Sequence, residues 1–132
     1  MWRIIGAVAA GYVAIGVLVV LTDQVCAALI PGFASMTTPP RSYFAISSLT
    51  GFLYSIVGGY LCAWIARTRS RIATVGLIIF GEFMGVVSLA MFWKTAPHWY
   101  GFALLVIFPP GIWLGSSLYS RLRSGESLVA ST

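Results

Sequence analysis

The chain has 132 residues, of which 59% are hydrophobic and 8% charged, and its mean hydropathy is +0.94. A soluble domain carries about 25% charged residues, so this composition excludes a soluble globular domain, a disordered chain and a nucleic-acid binder. The net charge of +5 comes from Arg and Lys scattered singly at the ends of apolar runs, the pattern that orients helices in a bilayer.

A membrane-spanning helix needs roughly 20 apolar residues. Four runs satisfy this, at about 4–28, 44–66, 72–93 and 100–119. None alternates with period two, which disfavours a β-barrel. The sequence therefore predicts an all-α, multi-pass membrane protein with four transmembrane helices in a single domain over 1–119. A polar, Ser-rich tail over 120–132 is expected to be mobile. The first run follows Arg3 and is long for a cleaved leader, so it reads as a retained signal anchor. Pro31-Gly32 should end it, and Pro39-Pro40 should restrict the connection to the second run.

Charge sets the expected threading. Arg3, Arg67, Arg69, Arg71, Arg121 and Arg123 fall on one side, against Arg41 and Lys94 on the other. The positive-inside rule then gives cytoplasmic N and C termini. Trp2, Trp64, Trp113 and Tyr119 should sit toward the inner interface. Tyr43, Trp93, Trp99 and Tyr100 should sit at the outer one. Cys26 and Cys62 fall near opposite faces, too far apart for a disulfide, which needs Cα atoms within about 7 Å.

Glu82 stands out. It is one of three acidic residues and lies about 15 Å along the third helix, near the midplane. A charged carboxylate there costs at least about 2.5–3.5 kcal/mol. Its helical neighbours Ile78, Ile79, Gly85 and Val86 cannot pair with it. Its partner must come from another helix, another subunit or an ion. Two readings follow. Glu82 is a proton- or cation-binding site, or it is interhelical glue bonded to Tyr54 or Ser55 at similar depth.

The fourth run contains Pro109-Pro110-Gly111. The prolines deprive the carbonyls of Leu105 and Val106 of their helical donors, and Gly111 lets the chain reorient. A helix break at this point would lie at the depth of Glu82, and broken helices beside midplane carboxylates build cation sites in transporters. Small residues recur at close-packing spacing: Gly51, Ser55 and Gly59 in the second run, Gly81 and Gly85 in the third, Gly6 and Ala10 in the first. They suit intramolecular packing, a homodimer face or a partner membrane subunit.

Asp23, Cys26 and His98 share the outer side but no ligand spacing joins them, and a lone His excludes bis-histidine haem. No nucleophile–base pair, metal motif or phosphate loop appears. The sequence gives no ground for a cofactor or a metal, and it leans away from an enzyme.

Ala10-Gly11-Tyr12, Gly58-Gly59-Tyr60-Leu61, Ala66-Arg67 and the stretch Pro97 to Tyr100 resemble motifs of small bacterial four-helix membrane proteins without an assigned activity. That resemblance implies a bacterial inner-membrane location with the lipid bilayer as the main partner. In size and in its one buried Glu the chain is also similar to small multidrug transporters. Those carry the Glu in the first helix, whereas here it is in the third. The sequence thus leaves two functional expectations. One is proton- or cation-linked transport through Glu82. The other is a non-catalytic scaffold or accessory subunit.

Overall fold

The computed structural model describes residues 1–32, 35, 40–94 and 97–131. It is helical, with no strand among the described residues. Helix α1 spans Trp2–Leu29, α2 spans Arg41–Ala66, α3 spans Ser70–Met91 and α4 spans His98–Ala130. A 3-10 turn over Arg67–Arg69 joins α2 to α3.

Local chemistry explains the boundaries. Pro31 and Gly32 follow α1, and Gly32 adopts φ 82°, which glycine tolerates without steric cost. Pro40 and Pro97, both extended, sit at the N-caps of α2 and α4. Proline has no N–H to leave unpaired at a helix start, so it is well suited there. Pro39 lies outside the described residues.

By length and composition, three helical stretches can cross a membrane: Trp2–Leu29, Arg41–Met91 and His98–Ala130. The second contains α2 and α3. Arg67, at φ 51°, turns the chain so that α3 returns along α2. Large apolar side chains such as Val13, Val17, Leu53, Phe83 and Val106 are exposed around the molecule. In water so much exposed apolar surface would drive association. Facing lipid tails, it is compatible with the surroundings.

Helix α2 is central and packs against each of the others. Its Gly51, Ser55 and Gly59 face α4, where they meet Leu104, Gly111 and Ile112 respectively. Its Gly58 faces Gly11 and Ile15 of α1. The small-residue stripe of α2 is therefore used within the chain, and bare backbone lets the helices approach closely. The tightest core lies at the Arg67 end, where Ala7, Cys62, Ala66, Ala73, Leu77 and Ile112 are buried together. At the opposite end the rings of Tyr43, Phe44, Trp99 and Tyr100 form an edge-to-face cluster.

Two expectations change. Residues 120–130 continue α4 as helix instead of forming an irregular tail. Ser120 and Ser124 each donate to the carbonyl four residues back, so their hydroxyls follow the helix rather than compete with it. The expected break at Pro109–Gly111 is also absent, because α4 runs through both prolines. Proline's fixed φ is helical, so each of the two rings removes one hydrogen bond without forcing the chain to turn.

Candidate functional site

Glu82 lies on α3 one turn beyond Leu77 and Ile78, where burial gives way to open space. Of α3, only Ala73, Thr74 and Leu77 are buried. The Tyr12–Phe80 ring pair, 5.0 Å between centroids, joins α1 to α3 just below this point. Beyond it α3 leans on α4, with Leu105 against Gly85 and Leu89 against Gly101. Gly16 and Gly81 have nothing within 4 Å of where a β-carbon would stand. Both stand on the lining of a cavity of about 430 Å³ between α1, α3 and α4.

Leu77 and Ile112 form one wall of this space, and Tyr100, Phe92 and Val20 line it farther toward the other end. Glu82 is the only ionisable acid or base on the lining, apart from the phenols of Tyr12 and Tyr100. Ser88 adds a hydroxyl. No residue of α2 contributes to the lining. The cavity is thus an apolar, aromatic-edged space with a single carboxylate, within the roughly 300–1,000 Å³ range of small-molecule sites.

The expected glue partners are engaged elsewhere. The Tyr54 hydroxyl is hydrogen-bonded to Thr22 of α1. Ser55 donates to the Phe52 carbonyl at 2.6 Å and is fully buried against Gly111. Among the described residues, no hydrogen bond or ion pair reaches the Glu82 carboxylate. Of the helix-four residues expected beside it, Leu105 lines the cavity. Val106 and Pro110 face outward, and Gly111 is buried against α2. The direction each side chain takes around its helix axis did not follow from the rise per residue.

The cavity-lining position of Gly16 and Gly81 was missed. Their signal was present as glycines within apolar runs, which cost about 1 kcal/mol against alanine and call for a reason.

Asp23, Cys26 and His98 do not converge on a ligand set. The Tyr43 hydroxyl donates to Asp23 at 2.9 Å, and His98 packs on Trp93 with centroids 4.2 Å apart. Among the described residues no three His, Cys, Asp or Glu side chains gather as metal ligands. Both cysteines are free thiols.

Comparison with protein-family models, with curated proteins and with solved structures found no match for this chain.

Proposed function

We propose that the chain is a multi-pass membrane transporter that exchanges protons for a small organic cation at Glu82. In this reading α1 to α4 each cross the bilayer, with both termini cytoplasmic and the Arg67 end inside. The observation that carries it is Glu82 on the wall of the cavity with no partner among the described residues. A carboxylate so surrounded is stable when protonated or when a cation sits beside it, since an unpaired charge in hydrocarbon is costly. One acid that holds either a proton or a cation is the minimal exchange site.

The wall favours an organic cation over a bare metal ion. Small metal cations need six or more oxygen ligands, and this lining offers one carboxylate and a few hydroxyls. Its apolar and aromatic surface suits an amine or quaternary ammonium carrying a hydrocarbon body, with cation–π attraction from Tyr12, Phe92 or Tyr100.

The test is reconstitution of wild type and Glu82→Gln in liposomes, with internal pH followed after a quaternary ammonium bearing one aromatic ring is added. Wild type should move protons outward against the inward cation, and Glu82→Gln should not. Equal signals from both at protein-free background would sink the transport reading and leave the scaffold reading in its place.

A further inference from the structure

We propose that the cleft at the Arg67 end binds one phospholipid through a phosphoethanolamine-type headgroup. This does not rest on the transport reading, nor on which leaflet the cleft faces, because phosphodiesters lie in both.

The cleft, about 460 Å³, lies between the end of α2 and the extension of α4. It is lined by Tyr60 and Trp64 from α2, by Arg67 from the 3-10 turn and by Tyr119, Leu122, Arg123 and Glu126 from α4. Depth is the first argument. From His98 to Tyr119 helix α4 rises about 32 Å at 1.5 Å per residue, which matches a hydrocarbon core of about 30 Å. Tyr119 packs edge-to-face on Tyr60 at 5.7 Å; with α4 spanning the core over this length, as proposed, these rings stand at the interface and the charged residues at headgroup level. Trp and Tyr favour this depth.

Charge is the second argument. Two guanidiniums and one carboxylate line the same space, yet none of the three is ion-paired with another in the described structure. Arg123 and Glu126 are three apart on α4, a spacing that permits pairing. Guanidinium forks match phosphate oxygens. A carboxylate on the same cleft would repel a purely anionic headgroup, but it complements an ammonium. Phosphate with a primary amine two carbons away satisfies both.

Backbone geometry is the third. Arg67 adopts φ 51°, a region that favours glycine. A strained non-glycine residue at a site edge argues that its side chain is required there. This supplies a test that a folding defect cannot imitate. Arg67→Gly should relieve the backbone and keep or raise the unfolding midpoint, while lowering phosphatidylethanolamine affinity about tenfold, the size of one lost charge-assisted contact.

The experiment measures binding of spin-labelled phosphatidylethanolamine and phosphatidylcholine to the purified full chain in detergent, with inorganic phosphate as competitor. Wild type should prefer the ethanolamine lipid, which keeps N–H donors for Glu126. Glu126→Gln should erase that preference while still binding lipid. Millimolar phosphate should not displace the lipid. Unchanged affinity in Arg67→Gly, no headgroup preference in wild type, or displacement by phosphate alone would each overturn the proposal.

Discussion

Gly59 of α2 and Ile112 of α4 meet backbone to backbone. A β-carbon at position 59 would overlap the Ile112 carbonyl oxygen and come within 2.8 Å of its Cα. Backbone cannot step aside as a side-chain end can, so Gly59→Ala must push the two helices apart. Overpacking of this kind costs about 1–3 kcal/mol. Gly6 has open space around it, so Gly6→Ala should be neutral or slightly stabilising. Unfolding midpoints in mixed detergent, measured for both variants, check the contrast.

Gly16 and Gly81 line the cavity and face open space. Gly81→Leu should narrow it beside Glu82 without touching the core. Cation-driven proton flux should fall at least about tenfold, with the unfolding midpoint unchanged or raised, as a helical Leu outscores Gly. Full flux in a well-folded Gly81→Leu protein would show that the cavity is not the route.

Helix α4 passes through Pro109 and Pro110 without breaking, and Pro110 faces outward. Pro110→Ala restores a donor to the Val106 carbonyl. We expect the helix to be retained, stability to rise modestly and flux to stay within about twofold, because no hinge is lost. Loss of flux with intact stability would mean that a bend not seen here is needed for the cycle.

The Thr22–Tyr54 hydrogen bond joins α1 to α2 on the side away from the Glu82 lining. Tyr54→Phe removes it while keeping the ring. Interhelical bonds of this type in membranes are worth about 0.6–2 kcal/mol. A double-mutant cycle with Thr22→Val should return a coupling in that range and leave transport untouched. A transport defect from Tyr54→Phe would instead connect Tyr54 to Glu82.

Much of this architecture was legible because membrane helices obey length. Apolar runs near 4–28 and 44–66 became Trp2–Leu29 and Arg41–Ala66. Two features were not. The end of α4 reads as a tail by composition, but Gly125 is the only breaker in Ser120–Ala130. A single glycine costs about 1 kcal/mol, too little to stop a helix that is already propagating. The surroundings of Glu82 were not legible in azimuth. Tyr54 turns to α1 and Ser55 to α4.

Helix α2 touches every other helix yet supplies nothing to the cavity lining. Its glycine faces hold the assembly together, while most of the lining, from Gly16 and Val20 to Ser88 and Tyr100, lies outside the buried core. Changes at exposed linings such as Val20 and Ser88 carry little penalty for assembly, whereas Tyr100 is tied to Ser47 and Phe44 of α2. Under the proposed exchange function, what the cavity accepts can be retuned, by selection or by an engineer, without rebuilding the helix packing that holds the fold together.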